Sequence, residues 1–234
     1  MTKQTIGVIG GMGPMATADL FRKMILRTDA ESDAGHAHII IDNVPSIPNR
    51  TEAILYGGPS PLPMLTESAM RLKNAGADFF ILPCNTSHFW FDELCRASGL
   101  DGLSMVEAAA DELVRRGVGC CGILATDGTV KSGIYKSALE KRGIRAVNPS
   151  EAGQREVMRL IYDCVKAGRE PDSLDAFAEE LRDMRRGGAE VFLAACTELP
   201  LVFDTYLPGE KVVDATDILA AAALRRAGYA VRLT

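Results

Sequence analysis

Residues 71–86, RLKNAGADFFILPCNT, align without gaps on residues 183–198, DMRRGGAEVFLAACTE. Gly76 meets Gly188, Ala77 meets Ala189, Asp78 meets Glu190, Phe80 meets Phe192 and Cys84 meets Cys196. Two flanking matches keep nearly the same offset: Ile6–Gly13 (IGVIGGMG) with Cys121–Gly128 (CGILATDG), and Leu113–Gly117 (LVRRG) with Leu224–Gly228 (LRRAG). A chain that repeats itself at this spacing is expected to form two similar halves, and 234 residues are enough for each to bury its own core. The small drift in offset is what short loop insertions would produce.

Each half reads as alternating strands and helices. In the first, Thr5 to Gly10, His38 to Ile41 and Phe79 to Leu82 read as strands, while Ala16 to Leu26, Met64 to Asn74 and Ser87 to Arg96 carry apolar residues at helical spacing. That alternation predicts a parallel sheet covered on both faces. The expected fold class is therefore α/β: two similar parallel-sheet lobes related by a pseudo-twofold axis, with the active site in the cleft between them. The N-terminal lobe is expected over 1–103, with a C-terminal helix in 215–234 packing back on it, and the C-terminal lobe over 104–214.

Hydrophobic residues make up 47% of the chain and charged residues 24%, which excludes a disordered or collagen-like chain. The net charge is −5 and the basic residues are scattered, which argues against nucleic acid as a partner and for a small molecule. No apolar run reaches the roughly 18 residues that a membrane-spanning helix needs, so no membrane partner is expected. The six cysteines belong to a chain of globular composition that opens MTKQTIGVIG, without the apolar segment of a secretory leader. Free thiols and a cytoplasmic location are expected.

In an open parallel sheet the ligand crevice lies beyond the carboxyl ends of the strands. Cys84 follows the apolar run FFIL and precedes Asn85, Thr86 and Ser87; Cys196 follows VFLAA and precedes Thr197 and Glu198. Polar side chains and helix-start amides thus surround each thiol, and a helix N-terminus lowers a thiol pKa toward the range where the thiolate can act as a base. Two opposed thiols suit one task, removing a proton from one face of a carbon and returning one to the other. No cofactor and no metal are then required. Asn85, Thr86 and Thr197 can donate to a carboxylate on that carbon, or can simply cap helices. Cys95, Cys120, Cys121 and Cys164 lack such flanks and are read as core or incidental.

Two other motifs compete. Gly11-Met12-Gly13-Pro14-Met15-Ala16 follows a strand and opens a helix, so it satisfies the G-x-G-x-x-G/A dinucleotide fingerprint, with Asp42 placed as a ribose-binding acid. A nucleotide-binding oxidoreductase is the alternative that this loop supports, although the matching segment Ala125–Thr129, ATDGT, keeps one glycine and a plain tight turn would explain the loop. Cys84 and His88 have a Cys-x-x-x-His spacing that would suit a metal site or a nucleophile–base pair. With His36 and His38 placed before another strand, His88 is read instead as orienting Cys84 or the helix start.

GVIGGMGP near the start, PCNTSH around Cys84 and ACTELP around Cys196 together resemble the aspartate racemase branch of the aspartate/glutamate racemase family, over nearly the whole chain. The resemblance implies a racemase independent of pyridoxal phosphate (PLP), built from two α/β lobes and forming dimers, with Cys84 and Cys196 as the acid/base pair. It implies further that Met12, Asn85, Thr86, Ser87, Thr126, Thr197 and Glu198 line the cleft. Arg50, in IPNRTEAI, and Lys166, in IYDCVKAG, are similar to family positions that grip a substrate's side-chain carboxylate. Gly10-Gly11-Met12 stands where the glutamate racemase branch has Asp-Ser-Gly, which favours aspartate or a broader range over a dedicated glutamate enzyme. One-cysteine decarboxylases and isomerases of the same fold, and a non-catalytic binding protein that retains the cleft, are the remaining alternatives.

Overall fold

The computed structural model describes residues 3–232. The chain divides into two compact units, unit 1 comprising residues up to Ala108 together with those from Thr216 onward, and unit 2 running from Ala109 to Ala215. In chain order the first half supplies β1 (Ile6–Gly10), α1 (Pro14–Arg27), β2 (Ile39–Asn43), α2 (Arg50–Tyr56), α3 (Leu62–Asn74), β3 (Phe79–Ile81), α4 (Phe91–Ser98) and α5 (Met105–Arg115). The second half supplies β4 (Cys120–Ala125), α6 (Asp127–Ser132), α7 (Ile134–Glu140), β5 (Arg145–Val147), α8 (Glu151–Arg159), α9 (Asp175–Arg186), β6 (Val191–Ala195), α10 (Leu199–Tyr206), β7 (Val212–Asp214) and α11 (Ala215–Arg226).

Unit 1 holds a parallel sheet ordered β2-β1-β3, and unit 2 a parallel sheet ordered β5-β4-β6-β7. The repeat seen in the sequence is thus a repeat of topology. In each sheet the first strand of the half sits between the second and the third, and the third carries the cysteine. Strands β1 and β4 are buried along their whole length, which is why both read as continuous apolar runs; β2 and β5, at the sheet edges, are partly exposed. Where unit 2 adds β7, unit 1 has a single parallel bridge from Phe80 to Gly102. A Cβ on Gly102 would lie 2.7 Å from both the Phe80 and Phe91 rings, so only glycine lets the chain pass there.

Each sheet is sealed by amphipathic helices. The unit 1 core gathers Ile9, Leu65, Leu72, Phe80, Leu82 and Leu94; that of unit 2 gathers Leu124, Leu160, Phe177, Phe192 and Phe203. Helix α11 is fastened within unit 1 by Asp217 paired with Arg27 and by Arg226 paired with Asp101.

The helix expected over Ser87 to Arg96 is two elements: a 3₁₀ turn over Thr86–Trp90, then α4. Thr86, Ser87 and His88 are all buried, and three consecutive buried residues leave no amphipathic stripe for an α-helix. Regular periodicity resumes only from Phe91 through Leu94. Proline at 83 has no N–H to give, and the β3 ladder stops at Ile81. Among the described residues no helix is long and apolar enough to cross a membrane.

The glycine loop after β1 is fixed from inside the unit. Gly11 has φ +97°, and a Cβ there would strike the Val44 backbone, with Val44 N at 2.6 Å. Its N–H donates to Thr17 Oγ1 at 2.9 Å, and Val44 N–H donates to the Gly10 carbonyl at 3.2 Å. Gly13 has φ −104° and open space around its α carbon. Gly11→Ala is therefore expected to cost about 2 kcal/mol or more and Gly13→Ala well under 1 kcal/mol, as read from urea unfolding midpoints.

Candidate active site

Both cysteines stand just past the carboxyl end of the third strand of their half, where backbone groups leave the ladder and the chain turns into a helix. Each is buried, with 6% of its surface exposed, and all six cysteines are unpaired. Cys120 and Cys121 lie in β4, and Cys164 packs in the unit 2 core. Burial pushes the Cys121 thiol up to about 12, as expected of a structural thiol.

In unit 1, Cys84 shares its loop with Asn85, Thr86 and Ser87, all buried. Ser87 Oγ donates to the sulfur of Met12 at 3.3 Å, which brings the β1 loop onto the Cys84 loop. Arg50 begins α2, capped by Asn49, whose Oδ1 accepts from Thr51 N–H at 2.9 Å. The Arg50 guanidinium folds back onto main-chain carbonyls, donating to Pro48 at 2.9 Å, Ile47 at 3.1 Å and Met12 at 3.3 Å; its Nε is buried without a partner among the described residues. Met12, Arg50, Cys84 and Ser87 therefore form one cluster. The features that mimic a dinucleotide site are occupied by the fold itself: Gly11 accommodates Val44, and Asp42 accepts from Arg71 Nε at 2.9 Å.

In unit 2, Ala125 pairs with Ala195, so Thr126 and Cys196, the next residue on each strand, are neighbours. Thr126 caps α6, its Oγ1 accepting from Thr129 N–H at 3.4 Å. The Cys196 thiol donates to Glu198 Oε2 at 3.0 Å, and the Thr197 hydroxyl donates to the same oxygen at 3.1 Å. Lys166 forms an ion pair with the other carboxylate oxygen of Glu198. Burial, followed by the charge of Glu198 and its hydrogen bond, pushes the Cys196 thiol well up, with Lys166 acting in the opposite direction. Cys196, Thr197, Glu198 and Lys166 are one network, in which Glu198 is the hub.

Lys166 reaches Glu198 from an unusual backbone. Helix α8 passes into a π-helical segment over Leu160–Val165, and Lys166 N–H donates to the Ile161 carbonyl, five residues back. Such a bulge shifts the direction of the following side chain and recurs at functional sites. Two residues that the sequence did not single out adjoin this network. Tyr135 on α7 is buried, and burial pushes its phenol up, helped by the charges of Asp214, Cys121 and Cys196. Asp214 ends β7 in register with Ala194. Tyr135 carried no signal beyond its place in a helical pattern, whereas Asp214 followed a short β-branched pair.

His88 is fully buried. Its Nδ1 lies 3.0 Å from the Cys84 carbonyl oxygen, and its Nε2 accepts from Met105 N–H at 3.0 Å. Among the described residues no group of three or more His, Cys, Asp or Glu side chains could hold a metal ion.

The profile of one family, Asp/Glu/Hydantoin racemase, matches residues 9–223, a span that contains both cysteines and every residue of the two networks. The chain belongs to the Asp/Glu/hydantoin racemase family. It is similar to the aspartate racemase of Picrophilus torridus, at 34% identity over 99% of this chain and 96% of that one, with a TM-score of 0.83. It is also similar to the broad specificity amino-acid racemase RacX of Bacillus subtilis, at 26% identity over 92% of this chain and 94% of that one. An aspartate racemase homologue from Pyrococcus horikoshii, 24% identical over 96% of this chain and 99% of that one, shares the fold with a TM-score of 0.78. As a member of this family the chain is a racemase, an isomerase.

Within this racemase His88 sets part of the acid stability. Burial lowers its pKa from 6.5 to about 4, against two backbone hydrogen bonds that raise it. The unfolded chain takes up this proton near pH 6.5 and the folded chain only near pH 4, so stability is full above pH 6.5 and is lost as the pH falls through that window. The loss is about 3 kcal/mol for this group. Urea unfolding from pH 7 to 4 is expected to show a slope that His88→Gln flattens by about that amount.

Proposed function

We propose that this racemase interconverts the enantiomers of an acidic amino acid, aspartate, glutamate or a relative, through two thiols and without PLP. Family membership and the likeness to the Picrophilus torridus aspartate racemase support an amino-acid substrate; the name of the Bacillus subtilis relative supports a range wider than one amino acid. The observation that carries the reading is the buried Cys196 thiol hydrogen-bonded to the Glu198 carboxylate at 3.0 Å. A thiol held protonated beside a carboxylate is a proton donor, and the carboxylate can take that proton when the thiol must act as the base.

In this mechanism Cys84 as thiolate takes the α proton, leaving a carbanion delocalised into the α-carboxylate, and Cys196 gives its proton to the opposite face. Cys84 then carries the proton and Cys196 is the thiolate, ready for the reverse reaction. Glu198 exchanges the Cys196 proton directly, Cys–SH with carboxylate giving Cys–S⁻ with carboxylic acid. Asn85, Thr86, Ser87, Thr126 and Thr197 are assigned to hold the α-carboxylate and amino group, with Met12 as an apolar wall. Arg50 and Lys166 are the cations for a side-chain carboxylate. The same reading carries a cytoplasmic homodimer with a small-molecule substrate, and the net charge of −5 supports no role for nucleic acid.

Reduced protein in D₂O without cofactor is expected to exchange the α proton of L-aspartate or L-glutamate and to form the D enantiomer, as followed by NMR and optical rotation. Cys84→Ser and Cys196→Ser should each slow this by about 10²-fold or more while remaining folded. Full rates in both variants would eliminate the two-thiol mechanism. Glu198→Gln, which leaves burial in place but removes the charge that adds to it in holding Cys196 protonated, should speed alkylation of Cys196 by iodoacetamide at pH 8 by about threefold or more, read by peptide mass spectrometry.

A further inference from the structure

We propose that His88, as the neutral Nδ1–H tautomer, is a positioning residue that aims the Cys84 thiol by tying the Cys84 peptide to the first residue of α5. The inference rests on the reading of Cys84 as a working thiol. The tautomer follows from the partners. A backbone N–H can only donate, so Met105 N–H, 3.0 Å from Nε2, fixes that nitrogen as the acceptor. The ring proton then sits on Nδ1 and is donated to the Cys84 carbonyl at 3.0 Å. Met105 opens α5, where the first N–H groups have no partner inside the helix, and the imidazole supplies one.

The effect on Cys84 is to hold both sides of its α carbon. Its own N–H donates to the Leu82 carbonyl at 2.9 Å, and its carbonyl is held by His88. With both neighbouring peptides tethered, the Cα–Cβ direction is set relative to β3 and α5. The ring is itself immobilised. It stacks on Phe91 with centroids 5.2 Å apart and planes 7° apart, Phe91 lies 5.7 Å from Phe80 on β3, and His88 N–H donates to the Asn85 carbonyl at 3.0 Å. Both ring nitrogens are spent on the main chain, which leaves neither a lone pair for a metal nor a base for the Cys84 sulfur. The Cys-x-x-x-His spacing is therefore a scaffold for the thiol rather than a nucleophile–base pair. Burial, which holds the ring neutral at working pH, keeps Nε2 available as an acceptor.

The decisive measurement on the wild-type protein is the imidazole ¹⁵N spectrum at pH 7. A proton on the Nδ1 of His88 is expected, and a proton on Nε2 would overturn the assignment whatever any variant does. His88→Phe keeps the stack but removes both hydrogen bonds. In that variant, iodoacetamide labelling of Cys84, resolved by peptide mass spectrometry, should change by about threefold or more while labelling of Cys196 stays within twofold. His88→Asn, whose amide can donate to the Cys84 carbonyl, should return Cys84 labelling toward the wild-type rate. Unchanged Cys84 labelling in folded His88→Phe, with only a lowered Tm, would reduce His88 to a structural role. Neither readout uses substrate, so a protein that shows both results but exchanges no α proton would sink the two-thiol reading and leave the hold of His88 on the Cys84 peptide intact.

Discussion

A carboxylate buried with 8% of its residue exposed must be matched by donors, and in unit 2 that requirement falls on Glu198. Its three donors are a thiol, a hydroxyl and an ammonium, delivered by two pieces of local structure. Cys196 and Thr197 arrive because β6 ends at Ala195 and the chain turns there into α10. Lys166 arrives because α8 slips into a π register before it. Without the bulge the last turn of that helix would direct position 166 elsewhere, and the carboxylate would face its thiol without a compensating cation. The result would be a still more strongly protonated Cys196 next to an unpaired buried charge.

The two halves solve the same placement problem with different chemistry. Both end a third strand in a cysteine at the mouth of a parallel sheet, and in both the neighbouring central strand ends alongside, in the Met12 loop or at Thr126. At Cys84 the groups that hold the peptide are uncharged: the Leu82 carbonyl and the His88 imidazole. At Cys196 the partners are charged. Glu198 adds its charge and its hydrogen bond to the effect of burial on Cys196, and the raised pKa of that thiol is the consequence. Symmetry of fold has therefore been kept while symmetry of electrostatics has not.

The sequence carried the fold further than the site. Identical Gly, Ala, Phe and Cys positions in two windows located β3 and β6, and the matching of IGVIGGMG with CGILATDG located β1 and β4, because central parallel strands must be continuously apolar and must end in tight turns. Short edge or polar elements left weaker traces: α2 starts at Arg50 inside a segment read only for its cation, and the π bulge has no sequence signature distinct from an ordinary amphipathic helix. Pairings set by tertiary approach were not legible at all. Nothing in ACTELP or IYDCVKAG says that Lys166 and Glu198 meet, and nothing in PCNTSH says that His88 finds an N–H at Met105, since each depends on loops whose paths are fixed by packing. The glycine loop left two readings open, a phosphate cradle and a plain tight turn. Its Gly-x-Gly pattern fits a phosphate cradle, yet the positive φ and close approach at Gly11 serve Val44.

On the two-thiol reading, the raised pKa of Cys196 has a bounded effect. Enantiomers in an achiral solvent have equal free energy, so the equilibrium constant is one, and kcat/KM must be the same in both directions whatever the protein does to either thiol. A network that keeps Cys196 protonated cannot favour one product. What it can do is choose which protonation state the free enzyme adopts, and so which enantiomer meets a base already in place. The other enantiomer must wait for a proton to be redistributed, and that waiting appears in kcat and KM separately, each compensating the other. Glu198 takes part in that redistribution, because it offers the Cys196 proton a place to go that lies 3.0 Å away, while Cys84 must gain a proton of its own. The carboxylate that makes the thiol a poor base at rest is thus also the group that lets it become one.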